Sequence, residues 1–282
     1  MKILLIGGTS SIGHSIAEKI NRLGQVTSAG RREAKVFFDL TQWESVPTID
    51  DHYDVVIHAA ADFAGHTTED FIRAELTNVV GTLSVCRLAE HCSAKHLVIL
   101  SSISATYGPG DAYYGAYALS KRHAEEVANL FCAERGLPLT ILRPTQVYDA
   151  KGKCRRHQPL LYLMADKAQA GEDILIHGTH DALRNYLYVD DLTEICSRIV
   201  EMRHTGIFDC VHPQSPKLSE IALAAFSAFS KGGKIQFQSD KPSLVDLPSS
   251  IPTLCYEDIG FYPQVDIQQG FERIRQFREN DS

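Results

Sequence analysis

The spacing of apolar positions changes near the start of the chain. After Lys2, residues 3–6 form an apolar run of strand length that ends at paired glycines. Beyond the glycines, Ile12, Ile16 and Ile20 recur every fourth residue, which is the spacing of a helix with one buried face. The pattern therefore predicts a buried strand, a glycine turn and a helix that begins at this turn.

The alternation of strand and helix continues to about residue 146. Apolar runs predict five further strands, at 25–29, 36–38, 54–59, 96–100 and 139–142. Apolar stripes predict long helices at 68–91 and 114–134, and Gly136 and Pro138 end the second of them. Because strands separated by helices pair in parallel through right-handed crossovers, we expect an α/β fold with a doubly wound parallel sheet, a Rossmann fold.

The second half of the chain has a weaker pattern. It predicts three helices and one short strand, at 160–170, 189–202, 267–277 and 174–176. We expect one domain at 1–146 and a smaller C-terminal lobe at 147–282, parts of which return to the first domain. Ligands of open α/β sheets bind at the carboxyl ends of the strands, so we expect the lobe to lie there as a substrate lobe.

Composition and charge exclude several classes of function. Hydrophobic residues make up 44% of the chain and charged residues 22%, which is ordinary for a globular protein. The net charge of −7 argues against binding to nucleic acid or to an anionic membrane surface. The chain has no apolar run of about 20 residues and no leader-like start, so we expect a cytoplasmic protein without a membrane span.

Cysteine and histidine show no redox or metal-binding pattern. The seven cysteines are scattered without a C-x-x-C, and the twelve histidines include no H-E-x-x-H. We therefore expect the cysteines in the core and predict no metal site. The chain also lacks the G-x-S-x-G turn of many hydrolases.

The first turn carries a candidate phosphate site, Gly7-x-x-Ser10-x-x-Gly13. Glycine lets the backbone approach a ligand closely, and a helix N-terminus offers N–H groups and partial positive charge. Ser10 stands where the common dinucleotide-binding pattern has its middle glycine. A tight turn in any α/β protein would also explain these residues.

A phenol and an ammonium four residues apart form the second candidate site. Tyr117 and Lys121 share one face of the helix after the fifth strand, close to Ser101 and Ser102 at the strand's end. A nearby ammonium lowers the pKa of a phenol, which suits reversible proton transfer to a carbonyl oxygen. A surface Tyr–Lys pair is the alternative interpretation.

These residues resemble the extended short-chain dehydrogenase/reductase family, the group of NAD(P)-dependent nucleotide-sugar epimerases, dehydratases and reductases. The likeness spans about residues 2 to 210. It is carried by the Gly7–Gly13 turn, Ile57-His58-Ala59-Ala60-Ala61, Asn78-Val79-Val80-Gly81-Thr82, Tyr117-x-x-x-Lys121, Arg143-Pro144-Thr145-Gln146-Val147-Tyr148 and Arg184-Asn185-Tyr186-Leu187-Tyr188-Val189-Asp190-Asp191.

The resemblance implies catalytic roles for Tyr117 as general acid/base and for Lys121, which would position the nicotinamide ribose and lower the tyrosine pKa. It implies cofactor contacts from Gly7, Thr9, Ser10, Ser11, Ile12, Gly13, Asp39, Leu40, Ala59, Ala60 and Ala61. Asn78 would support the cofactor site from the long helix. Arg184 would contact the diphosphate of a nucleotide-sugar substrate.

Two ways of counting place the catalytic hydroxyl at different residues. Counting forward from the fifth strand places Ser102 beside Tyr117, whereas counting back from Tyr107 and Gly108 places Ile103 at the family's hydroxyl position. We expect Ser102 to be the catalytic and substrate-binding hydroxyl. Ser101 and Ser104 stay open as the catalytic hydroxyl, and Ser104 is also a candidate substrate contact.

The end of the second strand indicates the cofactor. An acidic residue there would bind the adenosine ribose of NAD, but this chain has Arg31 and Arg32. Two guanidinium groups suit a 2′-phosphate, so NADP(H) is favoured and NAD(H) stays open. A solvated basic turn is the alternative interpretation.

We therefore expect an NADPH-dependent reductase of a keto group on a nucleotide-linked 4-keto-6-deoxy sugar, with Tyr117 as the general acid. The alternatives are an NAD-dependent nucleotide-sugar 4-epimerase, a reductase of a small hydrophobic ketone and a catalytically silent NADP(H)-binding sensor. The resemblance also implies a homodimer, in which the two long helices of each copy pack together.

Overall fold

The protein is described here from a computed structural model, which covers residues 1–49, 51–247 and 255–281, without the side chain of Cys255. Its strands are β1 (Lys2–Ile6), β2 (Gln25–Gly30), β3 (Val36–Phe37), β4 (Val55–His58), β5 (Leu97–Leu100), β6 (Leu139–Pro144), β7 (Gln146–Tyr148), β8 (Ile174–His177), β9 (Tyr186–Tyr188), β10 (Gly206–Cys210) and β11 (Ile235–Gln238). Its helices are α1 (Ser11–Ile20), α2 (Thr68–Ala74), α3 (Gly81–His91), α4 (Ala116–Arg135), α5 (Pro159–Ala170), α6 (Val189–Met202), α7 (Leu218–Phe229), α8 (Cys255–Asp258) and α9 (Ile267–Asn280).

The first of two compact units comprises Met1–Pro144 and Thr193–Cys210. Its seven-stranded sheet has the order β10-β6-β5-β4-β1-β2-β3, and every neighbouring pair is parallel. The predicted doubly wound parallel sheet is thus confirmed. The strand order reverses between β1 and β4, and the carboxyl ends of these strands are where such sheets bind ligands.

The burial of the central strands explains why apolar runs in the sequence predicted them. Every residue of β4 and β5 is buried, because helices cover both faces of a parallel sheet. The continuous apolar runs that predicted these strands follow from burial on both faces.

The predicted long helix at 68–91 is interrupted. The chain is α-helical in α2, forms a π-helical segment at Glu75–Val80 and continues as α3. The wider π turn keeps the chain helical, so an apolar stripe cannot reveal it. Asn78, a predicted cofactor-site residue, lies inside this segment.

The second unit comprises Thr145–Leu192 and Val211–Ser282. It contains two parallel strand pairs, β7 with β9 and β8 with β11, and the helices α5, α7 and α9 pack together. The sequence did not predict β7, β9, β10, β11, α7 or α8. The strands β7 and β9 have only three residues each, and α7 is too apolar overall to show one stripe.

No helix within the described ranges combines the length and apolar composition that crossing a membrane requires. The same ranges contain no cluster of three or more His, Cys, Asp or Glu side chains arranged to hold a metal ion. Six cysteines are buried free thiols, namely Cys86, Cys92, Cys132, Cys154, Cys196 and Cys210. The seventh, Cys255, has its side chain outside the described part.

Replacing Gly13 by alanine should destabilise the first unit. A Cβ at this position would overlap the Gly7 carbonyl oxygen and lie 2.8 Å from Ser10 Oγ, so the turn must shift. We expect a loss of about 1–3 kcal/mol in the free energy of unfolding, measured by urea denaturation. Gly108→Ala is the control, because its Cβ would meet nothing closer than 3.9 Å. Equal stability of the two variants would contradict the tight turn.

Candidate active site

The glycine turn brings the ends of β1 and β4 into close contact. Gly7 has a φ of 84°, and a Cβ on it would lie 2.6 Å from the Ala60 backbone nitrogen. Glycine is required there for both reasons. Ser10, in place of the usual middle glycine, caps α1: its Oγ accepts a hydrogen bond from the Gly13 backbone nitrogen at 3.0 Å.

This turn has the features needed to hold the diphosphate of a dinucleotide. The first N–H groups of a helix have no acceptor within the helix and carry partial positive charge. The first turn of α1 contains no acidic residue that would oppose an anion. Thr9 and Ser10 are exposed at the turn, and Ser11 and Ile12 are half-buried behind them.

The end of β2 carries the two predicted arginines. The side chains of Arg31 and Arg32 are exposed, and neither makes a hydrogen bond or ion pair with any described residue. Asp39 lies further along and accepts hydrogen bonds at Oδ1 from the Thr41 backbone nitrogen at 3.0 Å and hydroxyl at 2.8 Å. Leu40 is buried beside Gly81.

The Asn78 side chain is hydrogen-bonded to the loop that follows β4. Its Oδ1 accepts from the Asp62 backbone nitrogen at 2.8 Å, and its Nδ2 donates to the Asp62 carbonyl oxygen at 2.8 Å. The same Nδ2 donates to Ser120 Oγ at 2.9 Å on α4. The buried amide thus holds together the loop with Ala59, Ala60 and Ala61 and the helix that carries Tyr117.

The Tyr117 ring stacks on Phe63 from this loop, with ring centroids 5.1 Å apart and planes 15° apart. Burial raises the pKa of Tyr117 to about 12, and a hydrogen bond with Ser102 opposes the rise. The direction is opposite to the lowered pKa that we expected from Lys121. The reason is that the cost of placing a phenolate in a poorly solvated site outweighs the stabilising contacts.

Lys121 is buried one turn further along α4, and its Nζ donates to the Leu100 carbonyl oxygen at 2.8 Å. Burial lowers the pKa of Lys121 to about 8, and the nearby Glu125 carboxylate opposes this shift. Burial and the Lys121 ammonium lower the pKa of His58 to about 3. The site at neutral pH therefore has a protonated phenol and a neutral histidine, and burial brings the pKa of Lys121 down towards neutrality.

Of the candidate hydroxyls, Ser102 is the one that acts on the pKa of Tyr117, which it lowers against the effect of burial. Ser102 caps a short 3₁₀ turn at Ile103–Thr106, and its Oγ accepts from the Ser104 backbone nitrogen at 3.1 Å. Ile103 is buried and apolar, and Ser104 is half-buried.

Three residues near this site were missed by sequence reasoning: His58, Phe63 and Glu125. Glu125 lies four residues after Lys121, so its position on the same helix face was readable. No spacing rule places Phe63 on Tyr117, because the contact joins a loop to a helix.

Arg184 belongs to the second unit and is buried. Its Nη1 donates to the carbonyl oxygens of Leu183 and Val245, each at 2.7 Å. These bonds fix the guanidinium within its own unit. A contact with a substrate diphosphate stays a prediction.

The sequence of this chain matches a known family. The sequence model of the "NAD dependent epimerase/dehydratase family" matches residues 3–210. A curated relative, UDP-N-acetyl-alpha-D-glucosaminuronate decarboxylase from Bacillus cytotoxicus, is 27% identical, with 99% of this chain and 98% of the relative aligned.

Solved structures agree on the fold. RMD from Pseudomonas aeruginosa, in complex with NADPH, has a TM-score of 0.80 at 16% identity, with 100% of both chains covered. UDP-glucose 4-epimerase from Thermus thermophilus, in complex with NAD, has a TM-score of 0.75 at 22% identity, with 99% of both chains covered. At these identities the likeness establishes the fold alone.

Replacing Asn78 by alanine should loosen the loop after β4. The change removes three buried or half-buried hydrogen bonds, and we expect a loss of about 1–3 kcal/mol in the free energy of unfolding. Hydrogen exchange at residues 60–66 should also become faster. Asn129→Ala on the exposed face of α4 is the control. Unchanged exchange at 60–66 would show that Asn78 does not hold the loop.

Proposed function

The chain belongs to the NAD dependent epimerase/dehydratase family, and from this premise we propose that it reduces a keto group on a nucleotide-linked sugar with NADPH. One observation carries the proposal: Tyr117, Ser102 and Lys121 converge at the end of β5, in the same unit as the glycine turn that fits a dinucleotide. Hydroxyl, phenol and ammonium are the groups that a carbonyl reduction needs from the protein.

Tyr117 would be the proton donor in this reduction. It holds its proton at neutral pH, as an unperturbed phenol does, but burial raises its pKa to about 12 and makes it a weaker acid in the ligand-free site. Ser102 would hydrogen-bond the same oxygen and orient the carbonyl. A reduced nicotinamide cofactor, when bound, would supply the hydride for the carbonyl carbon. Lys121 would hold the nicotinamide ribose and stabilise the phenolate that Tyr117 becomes after donating its proton.

The choice of NADPH rests on Arg31 and Arg32. Both guanidinium groups are exposed at the end of β2 and have no hydrogen-bonding or ionic partner among the described residues. They are available to bind a 2′-phosphate through charge-assisted hydrogen bonds. An NADPH-dependent enzyme releases oxidised cofactor after each turnover, which fits a net reductase.

The substrate class rests on the relatives. The Bacillus cytotoxicus relative is by name an enzyme of a UDP-linked sugar acid, and the Thermus thermophilus neighbour one of UDP-glucose. We propose that a nucleotide-linked sugar is the substrate here too. A 4-keto-6-deoxy sugar is the first candidate, and Arg184 would bind its diphosphate.

A nucleotide-sugar 4-epimerase with bound NAD is the second candidate, because 4-epimerases are among the structural neighbours. Such an enzyme would keep its cofactor through purification and would need none added. A catalytically silent NADP(H) sensor would bind cofactor without turnover. A reductase of a small hydrophobic ketone would accept substrates without a nucleotide.

We also propose a cytoplasmic homodimer. The six described cysteines are free thiols, as in proteins of a reducing compartment. Large apolar side chains are exposed on the helices of the predicted dimer contact, namely Phe71 and Ile72 on α2 and Leu130 on α4. An interface between two copies would cover them.

Replacing Tyr117 by phenylalanine should strongly lower turnover and preserve NADPH binding. The change removes the proton donor but keeps the ring on Phe63. We expect kcat to fall about 100- to 10,000-fold with a nucleotide-linked keto sugar, followed by NADPH absorbance. Tyr262→Phe, at an exposed tyrosine of the second unit, is the control. Full activity of the Tyr117→Phe enzyme would show that Tyr117 is not the general acid.

Replacing Arg31 and Arg32 together by alanine should raise the Michaelis constant for NADPH about 10- to 100-fold. The reason is the loss of charge-assisted hydrogen bonds to the 2′-phosphate, at about 1.5–3 kcal/mol. The constant for NADH should change less than about threefold, since NADH lacks that phosphate. Lys35→Ala, at a neighbouring exposed cation, is the control. Equal effects on both cofactors would contradict NADP(H) preference.

A further inference from the structure

A buried carboxylate lies one helical turn beyond Lys121. Glu125 is on α4, and its residue is only 4% exposed. Residues four apart on a helix are neighbours on one face, so this carboxylate and the Lys121 ammonium share the buried side of α4. Acidic side chains are almost never buried to this degree unless they are paired.

The two side chains hold adjacent residues at the end of β5. Lys121 Nζ donates to the Leu100 carbonyl oxygen at 2.8 Å. The next residue, Ser101, donates from its hydroxyl to Glu125 Oε1. Ser102 follows directly, and its side chain acts on the pKa of Tyr117. Two consecutive residues at the end of β5 are therefore attached to α4, and Ser102 comes next in the chain.

Arg143 on β6 compensates the Glu125 charge. Its Nε donates to Glu125 Oε1 at 2.9 Å and to Oε2 at 3.0 Å, and its Nη2 also donates to Oε2. Asp209 on β10 lies 3.7 Å from Arg143 Nη1. A buried pair of this kind seldom adds stability over a well-packed apolar pair. Its presence beside Lys121 therefore calls for a reason other than stability.

We propose that Glu125 is a positioning residue, which, bound by Arg143, balances the charge of the buried Lys121 ammonium and, by holding Ser101, fixes the position of Ser102 at the end of β5. The proposal rests on the proposed function, in which Lys121 and Ser102 act together with Tyr117. Glu125 itself is not placed against substrate or cofactor.

The charges around Lys121 support this role. His58 on β4 is buried and neutral, and Tyr117 on α4 is a protonated phenol, so neither offers a negative charge. Arg143 and Asp209 are paired beyond Glu125. Burial alone favours a neutral Lys121, and Glu125 is the group that opposes it. A neutral lysine would hold neither a ribose nor a phenolate by charge.

The test is the titration of Lys121 in the ligand-free protein. Lysine labelled with ¹³C at Cε gives one signal per lysine, and Lys121→Arg identifies the signal of interest. In Glu125→Gln, which keeps the side chain's shape, the titration midpoint should move about one pH unit or more to lower pH. Glu126→Gln, at the exposed neighbour, is the matched control and should leave the midpoint unchanged. An unchanged midpoint in Glu125→Gln would overturn the proposal.

A second variant keeps the test decisive if Glu125→Gln does not fold, because that change leaves Arg143 without its main partner. The double variant Glu125→Gln, Arg143→Met removes both charges together, which buried pairs tolerate better. If the Glu125–Arg143 pair is purely structural, the Lys121 titration midpoint in the double variant should equal that of the wild type. That result would overturn the proposal. A lowered midpoint supports it.

Activity measurements distinguish the role of Glu125 from the proposed reductase function. The Lys121 titration requires no substrate, so it stands even if the wild-type protein reduces no nucleotide-linked sugar. With an active enzyme, the alkaline limb of the kcat profile should move to lower pH in Glu125→Gln, and Glu125→Asp should restore part of the shift. Activity of Glu125→Gln that falls equally at every pH would contradict the proposal.

Discussion

Burial of the Lys121 ammonium is the constraint on which the rest of the site depends. An ammonium in a poorly solvated site must be hydrogen-bonded and balanced by charge, or it loses its proton. The Leu100 carbonyl oxygen supplies the hydrogen bond, and Glu125 supplies the charge. Because these groups come from β5 and α4, the same contacts fix where Ser102 and Tyr117 lie. The arrangement of the proposed catalytic groups thus follows from the way in which a buried cation is accommodated.

The first unit was largely readable from the sequence because its strands are buried on both faces. Continuous apolar runs marked β1, β4 and β5, and the glycine spacing marked the turn before α1. The family resemblance is confirmed by the match over residues 3–210. The sequence did not predict features that leave no periodic signal. The π-helical segment around Asn78 is one, and the three-residue strands of the second unit are others.

The sequence brought the candidate residues of the site together but did not predict their electrostatics. Spacing paired Tyr117 with Lys121, and the lowered tyrosine pKa was inferred from that pair alone. Burial depends on the whole fold, and it reverses the direction of the shift. The position of Ser102 was ambiguous for a similar reason. Its contact with Tyr117 joins the end of a strand to a helix, and no counting rule defines the register between them.

The central claim is that Tyr117, Ser102 and Lys121 face one nicotinamide ring, held by the glycine turn at the end of β1. A crystal structure of the protein with oxidised NADP tests it most directly. We expect the diphosphate at the N-terminus of α1, the ribose at Lys121 and the nicotinamide ring beside the Tyr117 hydroxyl. A nicotinamide ring bound away from Tyr117 would contradict the account.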